Sequence, residues 1–392
     1  MTKLSLINII KYNPLIYKIY FNVGNLAIRI LKLFIRHNDR RIFFISFGGR
    51  KFDDSPKAIY ERLINDSRFD SYELIWAFQN PDKFTIPKGI KIKTDTLKYF
   101  CILLSSRVWI TNSSVERGLR FTGKKTLYIN TWHGSPIKKM GTDMPNDNSS
   151  FLGAGDDSNT DIMLAQSNFE VNIFSRVFKI PKERFRLTGL PRNDSLIEDN
   201  RPEHIKILKK RLGIDTDKKV ILYAPTFREY QRGINNGCML TPPITPKKWA
   251  KALGNEYIFL LRAHYEVVRF LIADGGDFML DVSDYPSLNE LMLVSDILIS
   301  DYSSIFFDYS ILCRPMLTFC YDYNEYAEKR GMYFDIREEL KNDSKTEDEL
   351  ISKIKYLAYE NQSEISRYFK HKYISECGCA SQKTLEIIYR NL

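Results

Sequence analysis

Short apolar runs rich in Ile, Val, Leu and Phe return along this chain at intervals filled by polar, helix-compatible sequence, and that alternation leaves few folds open. In the first half the runs fall at residues 42–47, which lead into Gly48-Gly49, and at 74–78, 108–111, 127–132, 162–165 and 185–188. Strands separated by helices need crossover connections, and crossovers produce largely parallel sheets. A charged stretch at 198–219 interrupts the pattern, which resumes with runs at 220–224, 257–261, 278–282, 297–300 and 316–319. The expectation is an α/β protein of two doubly wound Rossmann-type domains facing a cleft, one over 39–200 and one over 201–392. A chain of 392 residues is long enough for each to bury its own core.

Residues 1–38 read differently. Ile16, Ile19, Val23, Leu26, Ile30, Leu33 and Phe34 recur at helical spacing, while Lys18, Asn22, Asn25, Arg29, Lys32 and Arg36 occupy another face. Lys18 and Arg29 interrupt the apolar sequence, so a spanning helix of about 20 uncharged residues is not available. The net charge is +10, and residues 1–51 hold ten Lys and Arg against one acid, Asp39. A cationic start on a nearly neutral body argues against nucleic acid, which asks for cations spread along a binding face. It suits a basic amphipathic helix lying on an anionic membrane surface, or a helix packed on the protein itself. Without a signal-peptide cleavage pattern, the expected location is the cytoplasmic face of the membrane, peripherally bound. The six cysteines show no metal-binding or secreted-framework spacing and read as reduced thiols.

Four clusters at strand ends carry chemistry, and loops beyond the carboxyl ends of parallel strands are where such sheets bind ligands. In Trp132-His133-Gly134-Ser135-Pro136 a strand runs into an imidazole just before a turn. With an ordinary pKa of about 6.5 it can accept a proton near neutrality, or it can simply bond to backbone. Thr226 and Arg228 follow the strand at 220–224, and Arg262 and His264 follow that at 257–261. Hydroxyls and guanidinium groups suit phosphate oxygens, and surface salt bridges use the same residues. In Ser300-Asp301-Tyr302-Ser303-Ser304 an apolar strand gives way to serines that open a helix, whose free amides attract anions.

Together with Gly189-Leu190-Pro191-Arg192-Asn193-Asp194, Phe307-Asp308-Tyr309 and Arg330-Gly331-Met332-Tyr333-Phe334, these clusters stand in an order that resembles the CDP-glycerol glycerophosphotransferase family of teichoic acid and capsule synthesis. The departures are mild: Ser135 and Ser300 replace threonines, and Phe227 an indole. The resemblance implies a GT-B-like arrangement with the acceptor on the first domain and the CDP-linked donor on the second. It implies His133 as general base, with His264, Arg262, Thr226, Arg228, Ser303 and Ser304 on the diphosphate. Gly134, Ser135, Lys138, Arg192, Asn193, Asp301 and Glu290 are candidates for acceptor, ribose or cytidine contacts. The implied reaction moves glycerol phosphate from CDP-glycerol to a lipid-linked or polymeric glycerol-phosphate acceptor, releasing CMP. CDP-ribitol as donor, and a sugar-nucleotide glycosyltransferase on the same fold, stay open. No metal or other cofactor is demanded, although Asp301 and Asp308 are possible Mg²⁺ ligands.

Overall fold

The computed structural model describes residues 13–116, 119, 121, 125–145, 158–226, 228, 243–263 and 275–392. Their strands form two parallel sheets in two compact units. The first unit takes in the described residues up to His133, then Met140–Asp194 and Glu376–Leu392; the second holds Gly134–Lys139 and Ser195–Ser375.

In the first unit β1 (Asn38–Ile45), β2 (Glu73–Phe78), β3 (Ile90–Lys93), β4 (Ser106–Thr111), β5 (Leu127–Asn130), β6 (Ile162–Ala165) and β7 (Phe185–Leu187) lie in the order β3-β2-β1-β4-β5-β6-β7. β1 sets Phe43 beside Ile75 on one side and Trp109 on the other, so the chain direction of sheet growth reverses around it. Both faces are covered, which is why the strands read as unbroken apolar runs. Ile42, Phe44, Trp76, Val108 and Ile129 bury one face, and Phe43, Ile45, Ile75, Trp109 and Tyr128 the other, as the two-residue period of a strand requires. β3 escapes a search for apolar runs because it is an Ile-Lys alternation at the sheet edge with only Ile92 buried.

Two segments extend this unit beyond the expected boundaries. The helix Pro14–Phe34 is not a detached arm: Ile28 is buried, and Tyr20 and Phe21 pack on the core formed by Tyr99, Val115, Leu119 and Phe121. A Cβ on Gly24 would come within 2.8 Å of the Leu119 side chain, so glycine permits that approach. At the other end, the helix Ala380–Arg390 contributes Leu385 and Ile388 to the first unit's core, so the second unit does not run through to Leu392. Asp194 fixes this return. Its carboxylate accepts the Ala380 and Ser381 amides at 2.8 and 2.7 Å, satisfying the open N-terminus of the last helix. Gly189, at φ +84°, lets the chain pass the Glu376 carbonyl, which a Cβ would meet at 3.0 Å.

The second unit orders β8 (Lys219–Tyr223), β9 (Tyr257–Leu261), β10 (Met279–Asp281), β11 (Ile297–Ser300) and β12 (Met316–Thr318) as β10-β9-β8-β11-β12, all parallel. Ile221, Tyr223, Phe259, Leu261 and Ile299 join Trp249, Leu350 and Ile354 on one face. On a neighbouring surface Phe307, Phe334, Phe369 and Tyr373 pack ring against ring, with Phe334 and Tyr373 stacked at 4.8 Å.

Candidate active site

The reversal at β1 and β4 gathers three strand-end loops of the first unit. Phe47, just beyond β1, donates its amide to Asn112 Oδ1 at 2.7 Å, and Thr131, just beyond β5, donates to the Thr111 carbonyl at 2.8 Å. Trp132 then takes a left-handed φ of 49°, which costs a non-glycine residue on the order of 1 kcal/mol or more. Local bonds offset that cost: Asn130 Oδ1 accepts the Trp132 amide at 2.9 Å, and the Thr131 hydroxyl donates to the Trp132 carbonyl at 3.0 Å. The indole packs 4.5 Å from the Phe178 ring. This kink turns the next residue, His133, back toward the ends of β1 and β4.

His133 Nδ1 lies 2.7 Å from the Asn112 carbonyl oxygen. A carbonyl only accepts, so Nδ1 carries the hydrogen, and in the neutral ring Nε2 keeps its lone pair. Burial pushes the imidazole pKa below its ordinary value; the Asn112 carbonyl and Asp54 work the other way, while Arg192 and Arg50 add to the depression. The ring is therefore neutral at neutral pH, its tautomer set and its basic nitrogen unengaged among the described residues. Phe47 flanks it, ring centres 5.7 Å apart.

Arg192 is placed on the same side of the unit. It pairs with Asp54 at 3.2 Å, both side chains largely buried, and its amide donates to the Ser55 hydroxyl at 3.3 Å. Asp54 itself is left-handed, at φ +66°. Asn193, beside it, is buried, so it presents little surface to a substrate. Asn112, Asp54, Phe47 and Arg50 are the residues the sequence reading passed over. The available signal was position: Asn112 directly follows β4, and Phe47, Arg50 and Asp54 lie along the connection from β1 into the helix Asp54–Leu63.

In the second unit, Gly134–Lys139 runs against the segment containing Gly331 and Tyr333. Lys139 donates its amide to the Gly331 carbonyl at 3.0 Å, Tyr333 donates to the Ile137 carbonyl at 2.8 Å, and Lys138 bridges Met332. Two of the sequence clusters are thus one piece of structure. Ser135 is buried there, and a Cβ on Gly134 would meet Ser304 Oγ at 2.7 Å. Ser303 Oγ accepts the Ile305 amide at 3.3 Å, while Ser304 makes no side-chain cap to the six-residue helix Ile305–Ser310. Thr226 donates its amide to Asp301 at 2.9 Å, and its hydroxyl has no partner among the described residues.

Arg228 departs from expectation. Rather than presenting its guanidinium to a ligand, it is 1% exposed, with Asp322 bonding Nε at 2.6 Å and Nη2 at 2.9 Å, and with Asp301 at 2.9 Å and the Thr226 carbonyl at 2.6 Å from Nη1. Tyr302 and Tyr326 cover it at 5.0 and 4.9 Å. Burial opposes its charge, but the two carboxylates hold it protonated. Asp301 is buried in the same cluster, where it accepts the Thr226 amide and faces Arg228. Arg262 donates to the Val282 and Tyr285 carbonyls at 3.2 and 2.8 Å. Glu290 pairs with Arg211 at 3.2 Å and accepts the Tyr285 hydroxyl, so it too is engaged within the unit. His264 and Phe227 lie outside the described residues. Asp308 is buried, and among the described residues no His, Cys, Asp and Glu side chains gather as metal ligands would.

Known proteins share this chain's sequence pattern and fold. Residues 27–389 match the family described as CDP-glycerol:poly(glycerophosphate) glycerophosphotransferase. The chain is 33% identical to the teichoic acid poly(glycerol phosphate) polymerase of Bacillus spizizenii, over 96% of this chain and 98% of that one. It is 33% identical to the Staphylococcus epidermidis protein of the same name over 90% of its own length, but spans only 51% of that longer relative. Among solved structures, the wall teichoic acid polymerase TagF superposes with a TM-score of 0.84 at 30% identity, covering 94% of this chain and 95% of that one. That protein has also been solved as a histidine-to-asparagine variant soaked with CDPG.

The Arg228 cluster yields a stability prediction. Arg228→Met leaves the buried Asp301 and the largely buried Asp322 without their cation and should cost about 3–5 kcal/mol in denaturant unfolding. Arg228→Met with Asp322→Asn should recover part of that loss. A single variant as stable as the parent would show that the cluster does not brace the second unit.

Proposed function

The chain belongs to the CDP-glycerol:poly(glycerophosphate) glycerophosphotransferase family, and from that premise we propose that it transfers glycerol phosphate from CDP-glycerol to a hydroxyl of a glycerol-phosphate polymer or its lipid-linked primer. His133 is the general base. Its Nε2 takes the proton of the acceptor hydroxyl as that oxygen attacks the phosphorus bearing glycerol; the bond to the bridging oxygen breaks and CMP leaves. The observation that supports this most directly is the Nδ1 hydrogen bond to the Asn112 carbonyl, since it leaves the proton-accepting nitrogen free in the neutral ring. Thr226, Ser303, Ser304 and Arg262 of the second unit, with His264, are assigned to the donor diphosphate. Arg228 is a positioning residue that holds Thr226 and Asp301 in place. Phosphoryl transfer of this kind depends on alignment and charge neutralisation. In this scheme side chains supply both, and turnover persists in the presence of EDTA.

The test is CMP release by the purified protein from CDP-glycerol, CDP-ribitol and UDP-sugars, with and without a glycerol-phosphate-primed lipid analogue. Acceptor-dependent release from CDP-glycerol is expected, and His133→Ala should lower it by roughly 10²- to 10⁴-fold with donor affinity largely spared. Release from a UDP-sugar alone would overturn the reaction class; release from CDP-ribitol alone would keep the class and change the donor.

We further place the enzyme on the cytoplasmic membrane face. No helix among the described residues is long and apolar enough to cross a bilayer. On the helix Pro14–Phe34, however, Leu15, Ile19, Val23, Leu26, Ile30, Leu33 and Phe34 are exposed, the last two at 82%, beside exposed Lys18, Arg29 and Lys32. An apolar stripe edged by cations suits the boundary between acyl chains and anionic headgroups. Replacing Ile19, Val23 and Leu26 by serine should release the protein from anionic vesicles without lowering its melting temperature, because the core-facing Tyr20, Phe21 and Ile28 are kept. Undiminished vesicle binding would remove the helix from the account.

A further inference from the structure

The loop that follows β1 carries two cations that the reaction as described does not use. Arg50 and Lys51 are both exposed. Among the described residues no carboxylate makes an ion pair with either, although Asp53 is an electrostatic neighbour of Lys51. Their backbone is held firmly. Phe47, Gly48 and Gly49 are successively left-handed, at φ 48°, 62° and 85°, and Gly49 donates to the Ser46 carbonyl at 2.8 Å. A Cβ on Gly49 would meet Thr94 at 2.7 Å and the Gln79 amide at 3.0 Å, so the loop has one available path. That path carries Phe47 to the His133 ring and sets Lys51 Nζ 5.6 Å from the centre of the same Phe47 ring.

A guanidinium on a held backbone, with no ion-pair partner among the described residues and with a charge that depresses the basicity of a buried imidazole, works against proton abstraction unless something else depends on that charge. The contrast with Arg192 sharpens the point, because that cation has Asp54 at 3.2 Å and Arg50 has no such partner among the described residues. In a glycerol-phosphate polymer the attacking hydroxyl and the phosphodiester of its own terminal unit are separated by a single three-carbon glycerol. Whatever group brings that hydroxyl to His133 brings a phosphate to its immediate surroundings.

Resting on the function proposed above, we propose that Arg50, assisted by Lys51, binds the phosphate of the acceptor's terminal unit and so selects chains that already end in glycerol phosphate over neutral ends. The phosphate supplies the anion that Arg50 lacks. Its negative charge also screens the repulsion between Arg50 and the imidazolium formed during transfer, so the bound acceptor strengthens the base that acts on it. Arginine suits this task through its two-pronged geometry toward phosphate oxygens.

The experiment uses the full chain, CDP-glycerol, and two lipid analogues as acceptors, one ending in glycerol phosphate and one in glycerol linked through an ether without phosphate. Arg50→Ala should reduce the ratio of kcat/KM for the phosphate-bearing over the neutral acceptor by roughly ten- to a hundredfold, the loss expected for one charge-assisted hydrogen bond. The change should fall mainly on KM, and Arg50→Lys should restore part of it. The groups that act on His133 are Asp54, Arg192, Arg50 and the Asn112 carbonyl. Removing Arg50 alone should therefore move the acidic limb of the pH profile at low acceptor concentration to higher pH. An unchanged acceptor ratio in a folded Arg50→Ala protein, with the parent active on CDP-glycerol, would overturn this inference alone. A parent that releases no CMP from CDP-glycerol would overturn the reaction on which it rests.

Discussion

The hydrogen bond from His133 Nδ1 to the Asn112 carbonyl is the contact on which the functional account depends, and most of the first unit can be read as the means of making it. A histidine at the end of a strand has two tautomers and several rotamers, and only one combination exposes a basic Nε2. The 2.7 Å contact selects it. The carbonyl is in place because Asn112 follows β4 and its side chain is tied to the Phe47 amide from β1. The imidazole is in place because Trp132, one residue earlier, is held left-handed by Asn130 and Thr131. Three neighbouring parallel strands thus define the position of one ring, and burial keeps it neutral and ready to accept a proton.

The second unit uses a different device. Its strand-end loops meet around a buried arginine with two carboxylates and covering tyrosine rings. Removing a charge from water is costly, and that cost is offset here because each guanidinium nitrogen has an oxygen partner. The arrangement ties the residue after β8 to the residues after β11 and β12. Thr226, whose hydroxyl has no partner among the described residues, takes its position from it through Asp301.

How much of this was legible depended on distance along the chain. Strands buried on both faces announce themselves as apolar runs, and β6, β9 and β11 were bounded to the residue by that signal. β3 was not, since an edge strand with alternating lysines resembles a loop. The amphipathic character of the N-terminal helix was visible, but not that Gly24 and Ile28 make it part of a core, because its partners at Val115 and Leu119 lie far downstream. Arg228 illustrates the same difficulty: an arginine after a strand is suited to phosphate, and only the fold brings Asp322, 94 residues away, to both of its nitrogens. The motif holding Arg192, Asn193 and Asp194 likewise divides its labour, with Arg192 beside the histidine and Asp194 capping the last helix. Local sequence marks where chemistry can occur; which polar group is spent on structure is decided by contacts between distant segments.

The central claim concerns the protonation state of one ring, and it can be measured without substrate. Nitrogen-15 NMR of His133, assigned by comparison with His133→Gln, reports its tautomer and its titration. The account predicts a neutral ring at pH 7 with the proton on Nδ1, and a pKa below the ordinary value of about 6.5. A proton on Nε2, or a ring that titrates above that value, would contradict it.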